Sequence, residues 1–199
     1  MSNAYIDIIK DRRTQYALGK DLPLPQPEVT ALIQEAVRLS PSAFNSQSSR
    51  VVILHGSQSD KFWGFVKEAL RQIVPDTAFA ATEAKIDGFA AGAGTVLFYE
   101  DQDVVAKLQT QFAAYADNFP VWSEQASGMA QFSVWTALAN VGIGASLQHY
   151  NPLPDAAVAA EWKLPGSWKL RAQMPFGANK SGFDEKTFID DALRFRVFA

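Results

Sequence analysis

The chain of 199 residues contains no cysteine. Disulfides, iron–sulfur clusters and thiolate zinc sites are therefore excluded. Histidine is scarce, with two in all, His55 and His149. A serine nucleophile needs a histidine with an acidic partner, and neither a Gly-x-Ser-x-Gly elbow nor zinc-ligand spacing occurs. His149 has no metal-type neighbours in the sequence, so no metal site is expected. No run of about 18 apolar residues exists to cross a membrane. The stretch Met1 to Lys10 lacks the long apolar core of a secretion signal, and a cytoplasmic protein is expected. The net charge is −3, which gives no electrostatic footprint for nucleic acid. Repeats, low-complexity tracts and linkers are also missing, so residues 1–199 are expected to form one domain.

Aromatic side chains are plentiful. Five Trp and fourteen Phe suffice for a large core, or for a core plus a subunit interface. Tyr5, Ile6, Ile8 and Ile9 share one face of a first helix. Gly19, Pro23, Pro25 and Pro27 make a stiff connector. Val29, Leu32, Ile33, Ala36 and Val37 then form the apolar stripe of a helix that Pro41 stops. Val51 to His55 reads as a buried strand, and no partner for His55 is visible. A helix carrying Phe62, Val66, Ala69, Leu70 and Ile73 ends at Pro75, and another spans Thr77 to Ala91. Thr95 to Tyr99 is a second strand, followed by a helix with Val104, Val105, Leu108 and Phe112.

Phe119 to Ser123 reads as a loop before a long helix to Val141. That helix is rich in small residues and apolar almost all round, so it belongs in a core or a subunit interface. Gly142 and Gly144 fail as a dinucleotide fingerprint, because Leu147 takes the third position and the pair follows a helix; a helix-ending turn fits better. After a short helix from Pro154 to Trp162, the positions Trp168, Leu170, Ala172, Met174 and Phe176 alternate with polar residues, a strand with one buried face ended by Gly177. Residues 177–187 read as a loop. Phe195, Val197 and Phe198 leave an apolar end that needs its own sheet or a second subunit to cover it. Few strands and many helices give an α+β or mixed α/β layered fold.

Two polar stretches stand out. Ser40-Pro41-Ser42-Ala43-Phe44-Asn45-Ser46-Gln47-Ser48-Ser49-Arg50 joins a helix to a strand and is dense in hydroxyl and amide groups. It suits a planar ligand with a polar edge, or it is a polar turn. Arg12-Arg13-Thr14-Gln15 lies where a helix meets a loop. It either grips a phosphate or complements the helix dipole. No side chain is an obvious redox or nucleophilic centre, so chemistry here would reside in a cofactor.

Four motifs in order carry a resemblance: Arg12-Arg13-Thr14-Gln15-Tyr16, Ser40 to Gln47, Gly142 to Ser146, and Met174-Pro175-Phe176-Gly177. Over residues 4 to 198 the chain resembles the flavin-dependent nitroreductases, in particular the small subgroup named for fatty-acid repression mutant protein 2. The resemblance implies an α+β nitroreductase-like layered fold, its mostly antiparallel sheet flanked by helices, in an intertwined homodimer with FMN in the interface. It assigns Arg12 and Arg13 to the FMN phosphate, with Thr14 and Gln15 beside them. It assigns Asn45 to the pyrimidine edge, with Ser42 and Gln47 as neighbours. Leu147, Gln148 and His149 fall where backbone groups approach the ring, and Lys186 and Arg194 are candidates for a second approach to the phosphate. Ser48-Ser49 replaces the Pro-Trp of many members, and the subgroup shares that change. The implied reaction passes hydride from NAD(P)H through FMN to a nitroaromatic or quinone, with Phe44 or Trp122 as a stacking surface or as ordinary core aromatics. Arg50 either faces the reduced ring or simply starts a strand. The alternative is a flavin-binding regulatory or redox-sensing protein with little turnover. Detoxification, stress response and lipid-linked regulation are all open as roles.

Overall fold

The computed structural model describes residues 3–199. Met1 and Ser2, which open the stretch read as lacking a secretion signal, lie outside the described residues. The elements are α1 (Ala4–Asp11), β1 (Leu18–Gly19), α2 (Gln26–Arg38), β2 (Ser49–His55), α3 (Ser57–Arg71), α4 (Asp76–Ala90) and β3 (Gly94–Asp101). They continue with α5 (Gln102–Gln111), α6 (Phe119–Asn140), β4 (Ile143–Ala145), α7 (Asp155–Trp162), β5 (Trp168–Asn179) and α8 (Asp191–Arg194). Two short 3-10 segments, Ala43–Asn45 and Ala113–Asn118, precede β2 and α6.

The sheet runs β1-β5-β3-β2, with β4 also on β5, and every pairing is antiparallel. Period-two alternation sends its side chains to two cores. Leu54, Leu97 and Tyr99 meet Phe62, Trp63, Val66, Phe89 and Val158 from α3, α4 and α7. Val96, Phe98, Met174 and Phe176 meet Val29 and Ile33 of α2 and Val134 and Leu138 of α6. The result is three layers, helices on both faces of the sheet. No helix among the described residues is long and apolar enough to cross a membrane.

Strand β5 departs from the single buried face expected of it. Phe98 pairs with Ala172 and Tyr99 with Leu170, which leaves Arg171 as an extra residue. This bulge reverses the facing of the strand. Leu170 joins the α3 side, whereas Ala172, Met174 and Phe176 join the α2 side. Gln173 is wholly buried on the α3 side, and its Oε1 accepts from the Tyr150 N–H at 2.7 Å.

Other differences have local causes. Phe119 to Ser123 opens α6 instead of forming a loop, because Pro120 in the first turn costs no helical hydrogen bond. His55 does have a partner: its Nε2 lies 2.9 Å from the Thr30 hydroxyl. Strand β5 runs on past Gly177 to Asn179. At Gly177 a side chain would collide with the Gly19 carbonyl oxygen, so only glycine lets these backbones meet. Gly142 has φ 79° and ends α6 in the left-handed region, as its helix-end reading expects.

Candidate functional site

The arginine pair sits at the end of α1, Arg12 being its cap residue. The Arg12 guanidinium lies 4.4 Å from the Trp135 ring centroid. Arg13 donates to the Asp184 carbonyl oxygen and lies 5.8 Å from the Phe183 ring. Burial, and then the like charge of Arg13, pull Arg12 below its ordinary value. No carboxylate forms an ion pair with either arginine among the described residues. Two adjacent guanidinium groups without an ion-pair partner among the described residues make a receptive place for a dianion, although Asp11 lines the same cavity as Arg13. Arg13 also lines a cavity of about 380 Å³ with Lys10, Gly142, Gly144, Asn179 and Phe183.

Thr14 is exposed and forms a parallel bridge with Ala145. Gln15 turns inward. Its Nε2 donates to the Ser181 carbonyl at 2.9 Å, and its Oε1 accepts from Ala17 N–H at 2.9 Å and from the Ser181 hydroxyl at 3.0 Å. Its amide therefore pins the start of the C-terminal arm.

The loop between α2 and β2 is unusually wound. Phe44, Asn45 and Gln47 all have positive φ, at 56°, 49° and 47°. Non-glycine residues enter that region at a cost of about 1–2 kcal/mol each. Three in four residues mark a segment whose surroundings over-determine it. The Ser42 hydroxyl accepts from Gln47 N–H at 2.9 Å. Arg50 braces the loop from the strand side: its Nη1 donates to the Gln47 carbonyl at 2.5 Å, and its Nη2 to Asp101 Oδ2 at 3.1 Å. Asn45 and Gln47 are exposed, and their amide side chains bond to nothing among the described residues. Ser42 and Gln47 line a small polar cavity with Ser40, Ser49 and Arg50, separate from the one at Arg13.

Beside the loop, Phe44 is half exposed and stacks on Trp122, with centroids 5.8 Å apart and planes 21° apart. Phe112 and Phe119 close the cluster at 4.9 and 5.3 Å. Below it lies a group that sequence reasoning missed. Glu100 is fully buried, and its Oε2 accepts from Ser48 at 2.5 Å and Ser123 at 2.7 Å while Oε1 accepts from Ser49. In the sequence it is one polar letter at the end of an apolar strand, and its nearest donor is 23 residues away.

The turn after β4 is only partly open. Gln148 exchanges both backbone hydrogen bonds with Gln173, at 2.7 and 2.9 Å, and its Nε2 donates to Ser146 at 3.0 Å. Leu147 packs against the α2–α6 core, whereas His149 is exposed. The backbone groups of Leu147 and His149 make no bond among the described residues. Lys186 and Arg194 lie on the exposed arm, Lys186 at 5.2 Å from the Phe188 ring and Arg194 at the end of α8.

Comparison with known proteins gives consistent matches. The profile of the nitroreductase family matches residues 9–178. The Saccharomyces cerevisiae nitroreductase FRM2 is 34% identical over 191 residues, 95% of each chain. The nitroreductase CinD of Lactococcus lactis, solved with chloramphenicol, is 54% identical with a TM-score of 0.91, covering 98% of this chain and all of that one. A Desulfitobacterium hafniense nitroreductase with bound FMN shares the fold, with a TM-score of 0.73 at 15% identity over the whole of both chains.

Proposed function

The chain belongs to the nitroreductase family, and from that membership we propose an FMN-dependent oxidoreductase passing hydride from NAD(P)H to nitroaromatic or quinone acceptors. The observation that carries the reading is the pair Arg12 and Arg13, side by side without an ion-pair partner among the described residues. A flavin phosphate supplies the missing charge. FMN-bound relatives of the same fold support the cofactor. Two CinD complexes, with chloramphenicol and with 4-nitrophenol, support nitroaromatic acceptors, since both ligands carry a nitro group on a benzene ring.

Bound FMN would supply the chemistry, taking hydride at its ring and handing the reducing equivalents to the acceptor. The chain's own groups bind and orient. Arg12 and Arg13 would hold the phosphate through charge-assisted bonds, with the Thr14 hydroxyl beside them. Asn45, whose amide is uncommitted, takes the pyrimidine edge, with Ser42 and Gln47 next to it. Leu147 and His149 offer free backbone groups to the ring, Gln148 being occupied by Gln173. The Phe44–Trp122 stack offers a flat apolar wall on which a planar acceptor is held in reacting geometry.

Two features support a homodimer. Arg13 and the loop residues Ser42 and Gln47 line separate cavities of one chain, and a second copy would bring them onto one ligand. The arm from residue 180 onward is exposed throughout, and it carries Phe183, Phe188, Ile189, Leu193, Phe195, Val197 and Phe198. Wrapped on a partner, these side chains lose water contact and gain the main driving force for association. Tyr5, Leu39 and Phe132 line an apolar hollow of about 310 Å³ between α1, α2 and α6 that suits the same contact. Lys186 and Arg194 travel with the arm toward the phosphate. The reading places the reaction in the cytoplasm, where reduced nicotinamides are regenerated.

The test is an anaerobic absorbance spectrum of the purified protein. Reconstituted with FMN, it should show a flavin band that bleaches with NADH or NADPH and returns with a nitroaromatic. A protein that refuses FMN refutes the reading, and a bound flavin that neither nicotinamide bleaches favours a sensor.

A further inference from the structure

The two serines that follow the strained loop, and the serine that follows Trp122, all donate to one buried carboxylate. Ser48 and Ser123 share Oε2 of Glu100, and Ser49 takes Oε1. Glu100 is 0% exposed. A buried charge is a weak source of stability and is readily replaced by an apolar side chain of similar size. Here it is fully engaged: three hydroxyls solvate it, and Arg171, the extra residue of the β5 bulge, which is ion-paired with Glu124 of α6, adds positive charge in its neighbourhood. One residue further along each strand, Arg50 meets Asp101 and also holds the Gln47 carbonyl. The whole polar knot therefore serves the loop and the start of α6. None of its hydrogen bonds reaches α3, α4 or α7.

We infer that Glu100 is a positioning residue, which fixes the loop Ser42–Gln47 and the Phe44–Trp122 stack relative to each other and so sets how a planar acceptor is held. The inference rests on the reading of that loop and stack as flavin-facing. One carboxylate grips both sides of the stack: Ser48 and Ser49 on the Phe44 side, Ser123 on the Trp122 side. Loss of the grip releases three left-handed residues whose preferred backbone lies elsewhere. Ser48-Ser49, the departure from the Pro-Trp of many nitroreductases, provides the loop-side half of this contact, because neither proline nor tryptophan carries a hydroxyl to donate to Glu100.

The test uses the full chain with Glu100→Met, which keeps length and volume without acceptors, and Glu100→Gln, which keeps one oxygen. The double variant Ser48→Ala/Ser49→Ala unties the loop without opening a large cavity and serves if Glu100→Met fails to fold. Amide hydrogen exchange of the flavin-free protein is read at residues 43–49, with α3 as the internal control. Glu100→Met and the double serine variant should speed loop exchange about tenfold with α3 unchanged, and Glu100→Gln should restore much of the protection. Unchanged loop exchange, or equal acceleration in α3, overturns the inference. With FMN bound and 4-nitrophenol as probe oxidant, the same variants should raise KM about fivefold while kcat stays within about twofold. An unmoved KM overturns the role in holding the acceptor. A wild-type protein that takes up no flavin refutes the proposed function instead, while the exchange data still decide whether Glu100 positions the loop.

Discussion

Replacing Phe44 by glycine should harm the protein less than replacing it by alanine. The ordinary rule runs the other way, glycine being worse than alanine by about 0.5–1 kcal/mol inside a helix or strand. Phe44 sits at φ 56°, where any residue with a Cβ is strained. Both substitutions lose the same aromatic contacts. Phe44 is 51% exposed, so about half of a buried phenylalanine's 1.5–3 kcal/mol is at stake, roughly 1 kcal/mol. The ring contacts with Phe112, Phe119 and Trp122 add about 1 kcal/mol. Alanine keeps the left-handed strain and should cost about 2 kcal/mol. Glycine relieves about 1–2 kcal/mol of that strain and returns about 0.5–1 kcal/mol through its freer unfolded chain. It should therefore end about 0.5–1 kcal/mol above alanine. The assay is urea unfolding of wild type, Phe44→Ala and Phe44→Gly at one protein concentration, since association shifts apparent stability. Equal slopes with a higher midpoint for glycine are expected. A glycine variant equal to alanine or weaker would refute the view that this loop stores backbone strain.

Arg12→Ala should weaken FMN about a hundredfold in a fluorescence titration, the scale of losing a charge-assisted contact to a dianion, with the far-ultraviolet circular dichroism unchanged; unaltered affinity would remove Arg12 from the phosphate site. Burial holds His55 below its ordinary 6.5. The unfolded chain therefore takes a proton that the folded chain refuses, and the stability this residue contributes is full above pH 6.5 and is lost as the pH falls through the lower folded value. His55→Gln should flatten urea midpoints just below pH 6.5, and an unaltered slope there would show that other groups govern it. Truncation after Asn179 removes the arm with its seven exposed large apolar side chains and should convert a dimer to a monomer in sedimentation, with loss of flavin; a truncated protein that still sediments as a dimer would place the interface elsewhere.

Much of the fold was legible because local rules agreed with the tertiary outcome. Pro41 and Pro75 bound helices as their missing N–H groups demand, the stripe from Val29 to Val37 lies on α2, and the apolar runs at 51–55 and 95–99 are strands, the second central and buried as expected, the first an edge strand in which only Leu54 is fully buried. Four short motifs in order carry the resemblance to the family, and the family match covers residues 9–178. The arginine pair and the polar loop were visible as candidates from residue type alone. What they touch was not. Period-two alternation in β5 looked continuous because a bulge is a property of pairing with β3, and Arg171 became the extra residue only in that register. Gln15 turned inward because Ser181, which binds its amide, comes from the other end of the chain, 166 residues away. Glu100 read as an unremarkable strand end, because the three hydroxyls that solvate its charge lie 52, 51 and 23 residues away and converge only when β2, β3 and α6 pack. From sequence alone came most of the helices and strands, though not the helical start at Phe119 or the end of β5 at Asn179, and the polar groups on offer, since those follow from neighbours within a few residues. Which of those groups the chain already consumes, and which are left to bind a ligand, emerges with the packing, because it depends on partners brought together from distant parts of the chain.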